Sequence, residues 1–383
     1  MSEEQKPYRV YRGGRAKGKV PLTDRSAPEQ GGGSGGNGLK RSRRRRGLWL
    51  ALTLLTLVAL VLVWLVASYF SFHSGVRAAN DRLPQSVAGS LTEQSGLLTS
   101  QPTQVLLLGT DGDLTDARAG AGRADSIMVL RTDPKRHRLA YLSIPRDLRV
   151  EIPGYGEEKI NAAFQLGGPA LTLKTVRVLT GLRINHVVIV NFADFRSVID
   201  ELGGVEVDVP SPIVSNRFDC PYTAARCATW EGWRFEKGRQ RMDGRRALVY
   251  SRIRENRLDA ADNDLTRGER QQAVIEAVTG KLTSFSTFLK LPFVGGDIVR
   301  PLTTDLSAGE LLQLGWARFR ADGGRTLHCR LGGEPSTIGG QSVIVPTEDN
   351  RAVLAMYSGT SAPQPPPPGS GLYGPGCAVG RAG

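Results

Sequence analysis

Histidine and cysteine are scarce in these 383 residues, with four of each. Four cysteines in a chain this long exclude a small disulfide-stapled scaffold. The four histidines (His73, His137, His186, His328) fall at no metal-ligand interval, which argues against an HExxH-type zinc hydrolase. No Walker A sequence occurs and no GxGxxG follows a strand, so nucleotide and dinucleotide sites of those kinds are excluded. Gly32-Gly33-Ser34-Gly35-Gly36 matches the hydrolase elbow in form only, because it lacks the flanking strand and helix. A hydrophobic fraction of 40% excludes wholesale disorder.

What the chain has in excess is positive charge, 50 Lys+Arg against 37 Asp+Glu, a formal +13. On a folded surface that excess would point to nucleic acid. Thirteen of the Lys/Arg and only four of the acids lie in residues 1–46, however, so +9 belongs to a Gly-rich tail without apolar periodicity and +4 to everything beyond it. The expectation is a disordered basic tail and no nucleic-acid partner.

From Gly47 to Phe72 no residue is charged, and Leu48 through Val66 is almost wholly apolar. At about 1.5 Å per residue, roughly twenty such residues cross the ~30 Å core of a bilayer. A buried core helix of this length and uniformity is rare, and the run exceeds the apolar region of a cleaved signal. Trp64, Tyr69 and Phe70 suit an interfacial belt, and Arg43–Arg46 on the N-terminal side set the N-terminus in the cytoplasm with the bulk of the chain outside. All four cysteines then lie where disulfides persist. Cys220 with Cys227 would close a short loop and leave Cys329 with Cys377; four cysteines allow three connectivities, and zinc binding is the alternative.

Beyond a polar connecting segment (73–103), strands are expected at Gln104–Gly109, Ser126–Arg131 and Arg138–Ile144, the last two as a hairpin through Asp133-Pro134-Lys135-Arg136. Helices are expected at Pro169–Thr180, Ala193–Leu202, Asp243–Arg254, Leu265–Leu282, Leu306–Phe319 and near Arg351–Tyr357. Further strands are expected at Asn185–Phe192, Val205–Val209, Arg325–Leu331 and Ser342–Val345. Residues 211–241 read as irregular, and 359–383 as a Pro/Gly-rich tail tethered at Cys377. The fold class is α/β, an α-β-α-like sandwich with a mixed central sheet over residues 104–358, preceded by one transmembrane helix at 47–72.

Acids and arginines gather at strand ends, where α/β sheets usually bind ligands. Asp111 ends the first strand, Arg123-Ala124-Asp125-Ser126 opens the second, and Pro145-Arg146-Asp147 closes the third. Farther on come Arg252 and Arg254, then Asp264, Arg267 and Gln271 at i, i+3 and i+7 along one helix face. Guanidinium groups grip phosphate oxygens and carboxylates hold Mg²⁺, so this set implies a pyrophosphate ligand. The bland alternative for each residue alone is a solvated face or a structural ion pair.

At these residues the sequence resembles the LytR-CpsA-Psr family. The resemblance is carried, in order, by Val105–Asp111, Arg123–Val129, Leu142–Asp147, Glu151–Tyr155, Lys159–Ala163, Gly167–Pro169, Leu202–Pro210 and Arg267…Arg270-Gln-Gln272. It implies a membrane-anchored phosphotransferase that moves a glycopolymer from a polyprenyl-pyrophosphate carrier to a peptidoglycan hydroxyl outside the cell membrane. It implies Mg²⁺, or Mn²⁺ in its stead, held by Asp111 and Asp125, with Arg146 essential for chemistry. Arg123, Arg146, Arg252, Arg254, Arg267 and Gln271 would line the pyrophosphate, with Asp264 and Asp147 behind them orienting the arginines. An apolar channel for the lipid is expected between the sheet and the helix after Asp264. Two rival readings share the residues or the topology: a lipid pyrophosphatase that uses water, and a non-enzymatic membrane-bound regulator or wall-binding protein.

Overall fold

A computed structural model describes residues 8–9, 20–21, 38–111, 122–260, 262, 266–364 and 375–380, with side chains from residue 47 onward. The chain falls into two compact units, Met1–Val61 and Leu62–Gly383. In the first, β1 (Tyr8–Arg9) and β2 (Val20–Pro21) pair antiparallel. Helix α1 (Gly38–Asn80) contains no proline, and Pro84 starts the next helix, α2 (Gln85–Ala88). The expected span is therefore the middle of a longer helix: residues 38–46, read from sequence as tail, and residues 73–80, read as connector, both continue it. Among the described residues this is the one helix long and apolar enough to cross a membrane, and its apolar side chains are exposed.

The second unit is built on β3 (Thr103–Thr110), β4 (Ala124–Asp133) and β5 (Arg138–Ile144), antiparallel neighbours whose apolar residues alternate between two covered faces. The β4–β5 hairpin turns through a short 3₁₀ segment, Pro134–Arg136, capped by the Asp133 carboxylate. β6 (Arg149–Ile152) and β7 (Gly156–Lys159) form a small hairpin, and α3 (Ala162–Thr180) follows. α3 starts before the expected Pro169 because a kink at Gly167 and Gly168, the latter at φ +64°, admits an extra N-terminal turn. β8 (His186–Asn191), α4 (Phe192–Glu201) and β9 (Val205–Val209) come next.

Residues 211–241, expected to be irregular, contain β10 (Ile213–Val214), α5 (Ala224–Thr229), β11 (Arg234–Phe235) and β12 (Gly238–Met242), which pairs with β9. β12 carries Arg239, Gln240 and Arg241 in succession, so it lacks the apolar alternation that announces a strand. α6 (Gly244–Arg252) is capped by Asp243, and α7 (Thr266–Leu282) is followed by α8 (Phe285–Val299), capped by Ser284. After β13 (Thr303–Thr304), α9 (Ala308–Arg320) opens with a capping box between Ser307 and Glu310. The chain closes with β14 (Leu327–Arg330), the β15 (Gly333–Ile338) and β16 (Gln341–Pro346) hairpin, α10 (Asp349–Ser358) and β17 (Gly376–Val379).

The central sheet has seven strands in the order β13-β8-β3-β4-β5-β14-β17. β8 runs parallel to β3 and β14 parallel to β5, so the sheet is mixed, as expected. β17 lies within the segment expected to be a low-complexity tail; antiparallel pairing with β14, in which Cys377 stands opposite Cys329, draws it into the fold. One face, including Leu106, Ile127, Val129 and Leu142, packs on α3 and α10 through Leu173, Val176, Val353 and Tyr357. The other face, with Leu107, Met128, Leu139 and Tyr141, is turned toward α7 and α9. Sheet and helices on that second side do not close completely, and the gap between them positions the candidate site.

Candidate active site

The gap is a cavity of about 830 Å³. Most of its wall is aliphatic and aromatic: Val105, Leu107, Val188 and Val190 from the sheet, and Val274, Ile275 and Val278 from α7. Threonine and serine side chains of α7 and α8 and Arg318 of α9 also reach the wall, but its acid and most of its arginines collect at one end, where β3 and β5 finish and β4 begins. There Asp125, Ser126, Arg252, Arg254, Arg267 and Gln271 contribute to the lining, with Asn216 and Ser251 beside them.

Each polar group is held by a local reason. Asp125 follows the first residue of β4 and accepts a hydrogen bond of 2.7 Å from Arg146 Nη1. Arg146 leaves β5 after Pro145, and its Nε reaches Asp147 at 3.3 Å. Lys159 Nζ binds the other oxygen of Asp147 at 3.0 Å, so a chain of alternating charge, Asp125–Arg146–Asp147–Lys159, runs along the sheet end. These side chains are 13–22% exposed, enough burial for the pairs to be screened only partly. Asp111, at the end of β3, accepts the Arg123 backbone N–H at 2.6 Å on its carboxylate and so sits next to the start of β4.

α7 presents Arg267 and Gln271 to the cavity, one turn apart. Arg267 is 6% exposed. Gln271 Oε1 accepts from Ser126 Oγ at 3.0 Å, and its Nε2 donates to the Ser251 carbonyl at 3.4 Å, which joins α7 to β4 and α6. Its neighbours point elsewhere. Arg270 donates to Asp262, to Thr266 and to the Ile253 carbonyl, and Gln272 binds His328 and the Cys329 carbonyl. Arg252 ends α6 with its guanidinium 4.6 Å from the Phe192 ring and 5.8 Å from that of Phe218, paired with Asp219.

The expected site residues thus converge: Asp125, Arg252, Arg254, Arg267 and Gln271 line one cavity end, Arg146 and Asp147 connect to it through Asp125, and Asp111 with Arg123 adjoins the start of β4. Asp264 lies outside the described residues. Among the described residues no three His, Cys, Asp or Glu side chains form a metal-binding group. Cys220 lies at disulfide distance from Cys227 and Cys329 at disulfide distance from Cys377, with Cα separations of 5.9 and 4.0 Å.

Sequence reasoning missed Asp219, Lys159 and Ser126. Asp219 adopts φ +49° immediately before Cys220, and no spacing in the sequence links it to Arg252, 33 residues away. Lys159 lies in a stretch that carries the family resemblance, which was a usable signal. Deeper in the cavity, burial first and Glu276 second push the Tyr141 hydroxyl up to about 12, so it lines the wall as a neutral phenol.

A mixed sheet with this polar end and apolar cavity defines a class, and the sequence agrees with it: the chain belongs to the LytR_cpsA_psr family, whose profile matches residues 69–350. It is 32% identical over 213 residues to the regulatory protein MsrR of Staphylococcus aureus, covering 55% of this chain, and it spans 58% of the length of that relative. It is 30% identical over 290 residues to the polyisoprenyl-teichoic acid–peptidoglycan teichoic acid transferase TagU of Oceanobacillus iheyensis, covering 72% of this chain and 81% of the relative. Among solved structures, Bacillus subtilis TagT (YwtF), crystallised with octaprenyl pyrophosphate lipid, is similar at a TM-score of 0.51 and 26% identity, over 70% of this chain and 92% of that one.

Proposed function

We propose that the protein is a membrane-anchored phosphotransferase that moves a glycopolymer from a polyprenyl-pyrophosphate carrier to a hydroxyl of peptidoglycan, on the outer side of the cell membrane. The observation that carries this reading is one cavity with two chemistries: an apolar gap of about 830 Å³ that ends in Arg252, Arg254, Arg267 and Asp125. Such a site matches a ligand that is hydrocarbon at one end and polyanion at the other. The relatives named as teichoic acid transferases and the octaprenyl pyrophosphate held by TagT support the same ligand class.

The polyprenyl chain would lie along Val105, Leu107, Val188 and Val278, and the pyrophosphate would meet the arginines. Asp111 and Asp125 are hard oxygen donors too few for an all-protein cage, and this fits Mg²⁺ or Mn²⁺, which commonly completes its shell with phosphate oxygens and water. Bound there, the ion would neutralise pyrophosphate charge; Arg146 would keep the Asp125 carboxylate aimed. Phosphoryl transfer depends on positioning and on electrostatic stabilisation, which the preorganised guanidinium groups supply. The acceptor oxygen attacks the phosphorus nearer the glycan, the bond to the bridging oxygen breaks, and polyprenyl phosphate leaves. The hydroxyl proton passes to a carboxylate of the cluster. Arg43–Arg46 ahead of the apolar run support a cytoplasmic N-terminus.

The test compares the full chain with Arg146→Ala in transfer from a lipid-pyrophosphate-linked oligosaccharide to peptidoglycan fragments. A loss of about 10² is expected, because Asp125 loses the group that aims it and the site loses a positive charge. An unchanged rate overturns the reading.

A further inference from the structure

Helix α8 is unusual for the surface of a folded domain. Phe285, Phe288, Leu289 and Phe293 are 74, 51, 52 and 79% exposed, and across the cavity mouth α9 adds Leu312, Trp316 and Phe319 at 59, 51 and 65%. A contiguous apolar patch of this kind marks a partner or a membrane. Its position decides between them. α8 packs in parallel along α1: Trp64 Nε1 donates to the Leu289 carbonyl at 3.1 Å with its ring 4.8 Å from Phe288, and Gly296 N–H donates to Ser71 Oγ at 3.1 Å. A Cβ on Gly75 would come within 2.5 Å of the Gly296 carbonyl oxygen, so glycine is what lets the two backbones meet. Val76 and Ala79 continue the contact into Val198, Leu202, Ile298 and Val299.

This register has a geometric result. Leu289 stands level with Trp64, inside the uncharged run that ends at Phe72, and Phe285 lies one turn (about 6 Å) nearer the start of α8. Any bilayer that holds α1 at Trp64 therefore also meets the first two turns of α8. No acid occurs between Thr283 and Val294, while Lys281 and Lys290 flank the tip with stems long enough to carry their charge to phosphate headgroups. Leu282, Thr283, Phe288, Leu312, Trp316 and Phe319 at this tip are also lining residues of the apolar cavity.

We infer that the α7–α8 tip and the outer face of α9 are seated in the leaflet from which the folded unit emerges, and that the cavity mouth opens there, so that a polyprenyl tail passes sideways from bilayer to cavity without crossing water. The occupant of the patch is the bilayer itself, because the same patch is bonded to the helix that crosses it. The role of the mouth rests on the lipid-carrier reading above; the seating in the leaflet does not.

The experiment uses the full chain in phospholipid nanodiscs with a benzoylphenylalanine photocrosslinker at Phe285 or Phe293, and at Tyr155 on the β6–β7 hairpin as the exposed control. After irradiation, mass spectrometry should find phospholipid adducts at Phe285 and Phe293 at least tenfold above Tyr155. Equal yields at the three positions overturn the inference, as do adducts joining two copies of the chain in place of lipid. Phe285→Glu should in addition slow uptake of polyprenyl pyrophosphate from nanodiscs while leaving its binding from detergent unchanged; equal slowing of both would overturn the lateral route. Neither readout uses glycan transfer, so absence of transfer with strong adducts counts against the proposed function and leaves the seating intact.

Discussion

Arg146 and Asp125 form an ion pair of 2.7 Å that ties the loop after β5 to the second residue of β4. Because the same guanidinium also reaches Asp147 through Nε, its plane is set by two carboxylates. A lysine would keep the charge and lose that two-point geometry. Arg146→Lys is therefore expected to lower the transfer rate by about tenfold or more with a nearly unchanged melting temperature, a split that a planar group held by two carboxylates requires. Rates and melting curves of the two proteins check it.

Asp219 holds Arg252 from outside the cavity, and both side chains are partly exposed, 45 and 31%. A pair of that kind contributes little to stability, on the order of 1 kcal/mol or less. Asp219→Asn is expected to leave thermal unfolding almost unmoved and to raise KM for the lipid-linked donor more than it lowers kcat, because Arg252 loses its orientation and keeps its charge. Steady-state kinetics with varied donor separate the two constants.

The lipid reading makes cavity length a determinant of affinity. Val278 sits on the apolar wall, remote from the arginines in the α7 sequence. Val278→Trp is expected to weaken binding of long polyprenyl pyrophosphates while sparing short ones, since a large ring fills part of the space a long tail needs. Dissociation constants over a series of prenyl lengths, measured by calorimetry, give the comparison.

His328 is buried against Tyr141, hydrogen-bonded to Gln272 and 3.9 Å from Glu276. Burial holds its pKa below the ordinary 6.5, with Glu276 acting in the opposite direction. The unfolded chain thus binds this proton more readily than the folded one, so the contribution is complete above about 6.5 and is lost as pH falls below it. Melting temperature should fall between pH 7 and pH 5, and the fall should be shallower in His328→Asn.

The central strands, their order in the hairpin and the helices around α6, α7 and α9 were legible because their apolar residues keep a period and their caps, Asp243 and Ser307, stand where helices begin. α8 was not. Pro292, Gly295 and Gly296 argue locally against a helix, and packing on α1, where a Cβ on Gly296 would come within 2.8 Å of the Ser71 carbonyl oxygen, overrides the propensity. β17 was hidden for a related reason, since Gly376–Val379 is strand only by virtue of β14 beside it. The site was legible as a set of strand-end charges, whereas Asp219 was not, because its partnership with Arg252 depends on the path of the Cys220–Cys227 excursion. A fold carries such contacts between distant segments, and no window of sequence does.

The most direct test of the central claim is product analysis with and without acceptor. The full chain of residues 1–383 in nanodiscs is given a polyprenyl-pyrophosphate-linked oligosaccharide and Mg²⁺, and the products are identified by mass spectrometry. Polyprenyl phosphate and a phosphodiester-linked glycan on peptidoglycan are expected, both appearing only when peptidoglycan is supplied. Release of polyprenyl phosphate at the same rate without peptidoglycan, with glycan phosphate free in solution, would contradict it.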